Sequence, residues 1–154
     1  MPKKQSPAGG QVRPAEPRDL ARVLDIWYEA TCQAHAFVPA AYWQEKRPLV
    51  AGLLPEAQLL VWEEAGQVAG FLGLQEDYLA GIFVQPGQQG RGIGRQLLQR
   101  AMELRDRLTL DVYEENPRAR AFYLRMGFVS AGRSLDEETG RWQETLCWER
   151  RPQR

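Results

Sequence analysis

The chain has 154 residues, of which 44% are hydrophobic, and this length suits one domain with one hydrophobic core. Twenty basic and twenty acidic residues give a formal net charge of zero, so the chain has no excess charge to attract nucleic acid or an anionic membrane. Cys32 and Cys147 stand far apart and lack the spacing of a zinc site. We therefore predict no metal, no nucleic-acid partner and no membrane association.

The amino terminus differs in composition from the rest of the chain. Residues 1–10 are polar and include two lysines and two prolines. They lack the apolar run of a secretory signal, and no later stretch is long and apolar enough to span a bilayer. We predict a disordered leader over residues 1–10, a single domain over residues 11–154, and a cytoplasmic location.

Apolar periodicity divides the first half of the chain into one strand, two helices and three further strands. The second helix begins at Pro39 and ends between Gly52 and Pro55, both of which disfavour helix. The three later strands are separated only by short turns, which is typical of an antiparallel meander. The predicted elements are strand 11–14, helix 17–34, the helix from Pro39, and strands 58–64, 67–75 and 78–84.

The second half alternates helices and strands. A glycine-rich turn follows Val84, and a helix with a buried apolar stripe is predicted from about Gly90 to Leu104. Asn116 followed by Pro117 is typical of a helix start, and Gly127 ends that helix. Further strands are predicted over residues 108–113, 128–133 and 142–149. The resulting order predicts an α/β fold.

The glycine-rich turn has the chemistry of a phosphate site. Gly90, Gly92 and Gly94 let the backbone approach a ligand closely, and the free N–H groups of a helix's first turn bind anions. A P-loop would need Gly-Lys-Ser/Thr, and a dinucleotide fingerprint would need a glycine at Arg95, so neither motif is present. The remaining pattern, Gln89-x-x-Gly92-x-Gly94, predicts a different pyrophosphate site.

This pattern resembles the acetyl-CoA signature of the GNAT superfamily, the Gcn5-related N-acetyltransferases. A second stretch, residues 116–128 (NPRARAFYLRMGF), resembles the Asn-x-x-Ala-x-x-Phe-Tyr-x-x-x-Gly-Phe motif of the same superfamily. The resemblance extends from about Val12 to Trp148. It implies a mixed, mostly antiparallel sheet of about seven strands flanked by about four helices, and acetyl-CoA as co-substrate without a metal.

Residues in the amino-terminal half carry a narrower likeness. Residues 27–30 (WYEA), 35–38 (HAFV), 42–43 (YW), 61–64 (VWEE) and 78–80 (YLA) resemble the bacterial YiaC and YjaB branch of the superfamily. That branch is associated with acetylation of protein lysines. The resemblance therefore favours a lysine acceptor, while a protein N-terminal amine and a small amine or antibiotic remain open, as does a monomer or a homodimer.

The resemblance also implies which residues bind the cofactor. Two strands are expected to separate, so that backbone groups at the end of the first strand pair with the pantetheine amides. The following loop would bind the pyrophosphate through its N–H groups. Arg120 and Arg125 are alternatives for the 3′-phosphate end or plain helix surface. The implied cofactor-binding residues are Phe83, Val84, Gln89, Gly90, Arg91, Gly92, Ile93, Gly94, Arg95, Asn116, Ala119 and Phe122.

The expected reaction is attack of an amine on the acetyl thioester in a ternary complex. Tyr123 occupies the motif position whose phenol would donate a proton to the CoA thiolate, with packing beside Phe122 as the alternative. Tyr78 is a candidate for substrate positioning or proton relay. The strand over residues 78–84 lacks the glutamate that many relatives have, so the general base stays open between Glu76 or Asp77 acting through water and His35. A non-catalytic acyl-CoA sensor, or a structural protein that merely keeps the fold, is the competing hypothesis.

Overall fold

The computed structural model describes residues 9–151. It contains seven strands, four helices and short 3₁₀ turns at residues 17–19 and 54–56. The predicted leader falls mainly on residues 1–8, which lie outside the described residues. The elements are β1 (Gly10–Pro14), α1 (Leu20–Ala34), α2 (Ala40–Leu53), β2 (Gln58–Glu64), β3 (Gln67–Gln75), β4 (Tyr78–Val84), α3 (Ile93–Leu104), β5 (Arg107–Tyr113), α4 (Pro117–Arg125), β6 (Val129–Asp136) and β7 (Arg141–Glu149).

All seven strands form one sheet in the order β1-β2-β3-β4-β5-β7-β6. Every neighbouring pair is antiparallel except β4 and β5, which are parallel and share one registered pair, Tyr78 with Thr109. The predicted fold class, a mixed and mostly antiparallel seven-stranded sheet with four helices, is confirmed.

Helices cover both faces of the sheet because its central strands are apolar on both sides. Along β2, Leu60 and Trp62 face the side covered by α3 and α4, while Leu59 and Val61 face α1. Each fully buried large apolar side chain contributes about 1.5–3 kcal/mol through removal from water. The two clusters pack on opposite faces of the sheet, beside the point where β4 and β5 meet.

The structure differs from the sequence prediction at several helix and strand ends. The predicted helix from Gly90 begins instead at Ile93, because Gly90 and Gly92 have φ of +82° and +87°, a left-handed conformation that ends the loop. β6 continues to Asp136, past its predicted end at Arg133, through pairing with β7. Gly10, which the sequence prediction places in the leader, belongs to β1. A side chain at this position would collide with the Trp62 indole.

Candidate active site

A cleft opens where β4 and β5 separate beyond their single registered pair. Its volume is about 1280 Å³, and its walls come from β4, β5, the start of α3, one side of α4 and the end of α1. The edge of β4 that faces β5 is unpaired after Tyr78 in the described register. Its backbone is therefore available to an extended ligand, as an added strand would use it.

Most residues predicted to bind the cofactor meet in this cleft. Arg91 is the exception, because its guanidinium pairs with Glu64 at 2.8 Å and does not line the cleft. Only its backbone N–H is then available to a ligand. Both predicted catalytic tyrosines also line the cleft. The predicted residues that line it are Tyr78, Phe83, Val84, Gln89, Gly90, Gly92, Ile93, Gly94, Arg95, Asn116, Ala119, Phe122 and Tyr123.

The glycine loop presents backbone N–H groups to the cleft. The first hydrogen bond of α3 runs from the Gln96 N–H to the Gly92 carbonyl, so the N–H groups of Ile93, Gly94 and Arg95 precede the helix ladder. The Gln89 side chain braces the loop by donating to the Val84 carbonyl at 3.1 Å. The loop is thus shaped to bind an anion.

Three arginines line the same cleft. Arg95, Arg118 and Arg125 make no ion pair within residues 9–151, whereas Arg120 points away and pairs with Glu144. Of the two arginines considered for the 3′-phosphate end, only Arg125 therefore faces the cleft. Sequence reasoning missed Arg118, which has no position in the motif. The free guanidinium groups make this part of the cleft positive.

Tyr123 lies at the buried wall of the cleft. Its side chain is 7% exposed, and its ring contacts the rings of Phe122 and Phe128 at centroid distances of 5.3 and 5.4 Å. Burial, with a smaller contribution from the neighbouring Tyr78 phenol, raises the pKa of Tyr123 above its ordinary value. The phenol is therefore protonated at neutral pH, as a proton donor must be.

Tyr78 donates a hydrogen bond across the junction of the two strands. Its hydroxyl lies 3.1 Å from Oδ2 of Asp111, and Oδ1 of Asp111 accepts a second bond from Thr145 at 2.7 Å. Burial and the nearby carboxylate raise the pKa of Tyr78 to about 12. Asp111 lines the cleft, although the sequence motifs assign it no role there. The alternation of β5 carries the signal, because Leu108, Leu110 and Val112 are buried and Asp111 lies on the opposite face.

His35 lies among aromatic rings at the end of α1. Burial lowers its pKa to about 4, so the ring is neutral at pH 7. Its Nε2 is 3.3 Å from Nδ2 of Asn116, whose side-chain oxygen accepts a bond from the Ala119 N–H. Asn116 therefore caps α4, as its position before Pro117 predicts. His35 supports this cap and has little basicity for catalysis.

The two acids considered as bases acting through water do not line the cleft. Glu76 and Asp77 form the turn between β3 and β4. The Glu76 carbonyl accepts a bond from Arg105, and the Asp77 carboxylate lies 4.0 Å from the same guanidinium. The structure therefore places neither carboxylate beside Tyr123.

The described part of the chain also bears on membrane and metal binding. No helix in residues 9–151 has both the length and the apolar character needed to cross a bilayer. No group of three or more His, Cys, Asp or Glu side chains in those residues is arranged to hold a metal ion.

A parallel strand pair that separates beside a glycine loop and a buried tyrosine is the arrangement expected of an acyl-CoA-dependent transferase. A sequence profile described as the Acetyltransferase (GNAT) family matches residues 20–128. The chain therefore belongs to the GNAT family, and the prediction that it is an N-acetyltransferase is confirmed. Acetyl-CoA is the co-substrate of the family.

The chain is also similar to individual proteins. It is 38% identical to the peptidyl-lysine N-acetyltransferase YiaC of Escherichia coli K12 over 130 residues, which are 83% of this chain and 89% of YiaC. It is 33% identical to the peptidyl-lysine N-acetyltransferase YjaB of the same organism over 131 residues, which are 84% of this chain and 89% of YjaB. The predicted likeness to this branch is confirmed.

Solved structures agree with the fold. The solution structure of apo-form YjaB from Escherichia coli superposes with a TM-score of 0.80 at 30% identity, covering 92% of this chain and 99% of that one. The PaiA N-acetyltransferase of Thermoplasma acidophilum, solved in complex with coenzyme A, has a TM-score of 0.76 at 17% identity, covering 91% of this chain and 98% of PaiA. At that identity the second likeness concerns the fold alone.

Proposed function

We propose that this protein transfers the acetyl group of acetyl-CoA directly to a lysine amine of a protein, with both substrates bound at once. The observation that carries the proposal is the cleft between β4 and β5, which joins an anion-binding loop to a buried, protonated tyrosine. The names of YiaC and YjaB, both peptidyl-lysine N-acetyltransferases, support the choice of acceptor.

Acetyl-CoA would lie along the unpaired edge of β4. Backbone groups of Phe83 and Val84 would pair with the pantetheine amides, and the N–H groups from Gln89 to Arg95 would bind the pyrophosphate. The α3 dipole adds about 0.3–1 kcal/mol to the binding of a negative group at its start. Arg95, Arg118 and Arg125 supply charge-assisted hydrogen bonds toward the phosphates. This orientation would bring the thioester toward Tyr123, which lines the same cleft.

The chemistry then requires two proton transfers. A lysine amine of ordinary pKa about 10.4 is neutral in only about one molecule in 2,500 at pH 7. The neutral nitrogen attacks the thioester carbon and then loses a proton to solvent, while the C–S bond breaks and the departing CoA sulfur takes a proton from the Tyr123 hydroxyl, which solvent later reprotonates. No cysteine lines the cleft within the described residues, which supports direct transfer rather than an acetylated enzyme.

The setting of this reaction is proposed to be the cytoplasm. Cys32 and Cys147 are both unpaired and half-buried, as is usual in a reducing compartment. Acetyl-CoA and protein lysines occur together in that compartment.

The test of the proposal is Tyr123→Phe, assayed by release of free CoA thiol and by mass spectrometry of a lysine-containing peptide. We expect kcat to fall at least tenfold, because removal of a general acid costs about 10²–10⁴-fold in typical enzymes. The KM for acetyl-CoA should change less than twofold, since in the proposed binding mode the phenol would contact only the sulfur end of the cofactor. An unchanged kcat would exclude the phenol from the reaction.

A panel of amines distinguishes the proposal from its alternatives. A lysine peptide, a peptide with a free N-terminus but no lysine, and a small diamine are compared at equal concentration. Transfer to the lysine peptide alone supports the proposed acceptor, and transfer to another amine corrects it. Binding of acetyl-CoA without turnover on any amine would instead identify a sensor of acyl-CoA.

A further inference from the structure

The last turn of α1 lies beside both sides of the separation between β4 and β5. Gln33 in that turn and His35, the C-cap of the helix, both line the cleft. Successive residues of an α-helix are rotated by about 100°, so side chains two positions apart point in nearly opposite directions. One helix end can therefore contact both sides of the cleft at once. We call residues 33–35 the α1 strap.

On the β4 side, the strap contacts the glycine loop. The Gln89 side-chain nitrogen donates to the Gln33 side-chain oxygen at 2.8 Å and to the Val84 carbonyl at 3.1 Å. A carbonyl can only accept, so Val84 determines which end of the Gln89 amide faces it, and the amide nitrogen has two hydrogens for two acceptors. Gln33 is therefore the second acceptor that holds the Gln89 side chain against the loop.

On the β5 side, the strap contacts the start of α4, the helix that carries Tyr123. The Asn116 side-chain oxygen accepts from the Ala119 N–H, so the amide nitrogen is the end that faces His35 Nε2 at 3.3 Å. Burial lowers the pKa of His35 to about 4, so the ring is neutral, Nε2 accepts from Asn116, and the ring proton is on Nδ1. The imidazole thus holds Asn116 in its capping orientation.

Beyond the junction of the two strands, no registered pair joins β4 to β5 in residues 9–151. The one pair, Tyr78 with Thr109, lies at the start of β4, and the glycine loop follows the other end of that strand. The body of α1 packs through apolar side chains on the half of the sheet that contains β2 to β4. The loop after α1 reaches the other half, where Arg141 of β7 donates to the Phe37 carbonyl at 3.0 Å. The strap therefore links the two halves of the sheet at the open end of the cleft.

We propose that the α1 strap sets the separation of the two sides of the cleft, with Gln33 and His35 as positioning residues that act through Gln89 and Asn116. Gln33 holds the glycine loop in its binding conformation, so that less ordering is needed when the cofactor binds. His35 holds the start of α4 and thereby the position of Tyr123 relative to the bound thioester. The role of His35 rests on the proposed function, whereas the role of Gln33 requires only that the loop binds CoA.

Calorimetric titration with CoA tests the Gln33 contact without turnover. Gln33→Leu removes the acceptor and should raise the Kd for CoA about two- to tenfold, the range expected of one hydrogen bond. Gln89→Leu should raise the Kd at least as much, and the double variant should bind no more weakly than Gln89→Leu alone, because Gln33 acts through Gln89. Gln44→Leu, at an exposed position of α2 outside the cleft, is the matched control and should keep the Kd within 1.5-fold. A change below twofold in Gln33→Leu, or single effects that multiply in the double variant, would overturn the role of Gln33.

Steady-state kinetics with acetyl-CoA and the lysine peptide tests the His35 contact. His35→Phe keeps a ring in the aromatic cluster but has no acceptor for Asn116, and it should lower kcat about tenfold, because a small displacement of a reacting group reduces the rate steeply. His35→Gln loses the ring but restores an acceptor oxygen, and its kcat should be at least three times that of His35→Phe. A ring that served only to fill the cluster would give the reverse order. Should His35→Phe fail to fold, His35→Leu takes its place in the same comparison.

The possible failures are distinct. Wild-type protein with turnover, together with a kcat of His35→Gln no higher than that of His35→Phe, would overturn the role of His35 and leave the proposed function intact. Wild-type protein that binds CoA but acetylates no amine would overturn the proposed function and the role of His35 with it. The Kd ratios would still decide the role of Gln33 in that case.

Discussion

At the scale of single residues, packing determines which titratable groups of the cleft can react. His35 is the sole histidine and a natural candidate for a base from the sequence. Its ring lies 5.0 Å from that of Tyr113 and 5.7 Å from that of Trp43, and burial lowers its pKa to about 4. A base of that strength gives little help in removing a proton from an amine. The buried environment of His35, rather than its residue type, excludes it as the general base.

The buried imidazole should make stability depend on pH. The folded-state pKa of His35 lies below the ordinary 6.5, so between about pH 4 and 6.5 the unfolded chain binds a proton that the folded protein does not. Stability should therefore rise with pH across that window. From pH 5 to pH 7 His35 should add about 1–2 kcal/mol to the free energy of unfolding, allowing for partial solvent screening.

The measurement is urea unfolding of wild type and His35→Gln at pH 5 and pH 7. Wild type and His35→Gln contain the same acids. The difference between their changes in unfolding free energy from pH 7 to pH 5 therefore isolates the contribution of the imidazole. We expect the wild type to lose about 1–2 kcal/mol more than the variant on going to pH 5. Parallel losses in the two proteins would show that burial does not suppress protonation of His35.

Site residues that belong to a sequence motif could be predicted from the sequence. Site residues whose position depends on hydrogen bonds to distant parts of the chain could not. Tyr123 and Asn116 belong to one contiguous motif, and the structure places both at the cleft. Asp111 depends on hydroxyl groups 33 residues before and 34 residues after it in the chain. No local pattern brings Tyr78, Asp111 and Thr145 together, because their proximity results from the strand order β4-β5-β7.

At the scale of elements, Gly92 and Gly94 differ in whether the backbone requires glycine there. Gly92 is the N-cap of α3 with φ of +87°, where an L side chain is strained. Gly94 lies inside the helix, and a Cβ built there would meet Ile82 and Phe122 at 3.6 and 3.8 Å, which is ordinary contact. The sequence predicts one role, close approach to phosphate, for both. The backbone itself requires glycine at Gly92 but not at Gly94.

Alanine at the two positions should therefore act in opposite directions. Gly92→Ala should lower the free energy of unfolding by about 1–2 kcal/mol, the cost of a left-handed conformation for an L residue. Gly94→Ala should raise it by about 0.5 kcal/mol, because alanine favours helix over glycine. Thermal unfolding of the two variants in the absence of ligand measures both. Equal destabilisation by the two changes would contradict the conformational difference.

Some ends of helices and strands could be predicted from the sequence and others could not. The strands β2, β3 and β4 begin and end at the predicted residues, because polar turns interrupt apolar runs there. The start of α3 and the end of β6 could not be predicted, since one depends on the φ angles of two glycines and the other on pairing with β7. Cross-strand pairing extends β6 through Ser134 and Leu135, which carry no strong strand pattern of their own.

At the scale of the whole molecule, the sheet is packed on both faces but opened along one seam. Helices α1 and α3 cover opposite sides of the central strands, and β4 and β5 meet only at Tyr78 and Thr109. A ligand that fills the seam would replace missing strand contacts with its own. Cofactor binding should therefore stabilise the entire domain, because anything that binds only the folded state does so by mass action.

Acetyl-CoA at about 100 times its Kd should add about 2.7 kcal/mol to the free energy of unfolding. For a chain of this size that corresponds to a rise in Tm of about 5–11 °C. Gly92→Asp should abolish the rise, because its carboxylate would lie where the pyrophosphate binds. Gly66→Asp is the matched control, since Gly66 has a similar φ of +77° and open space in the β2–β3 turn, outside the cleft. It should show the full wild-type shift, and a shift retained by Gly92→Asp would place the diphosphate elsewhere.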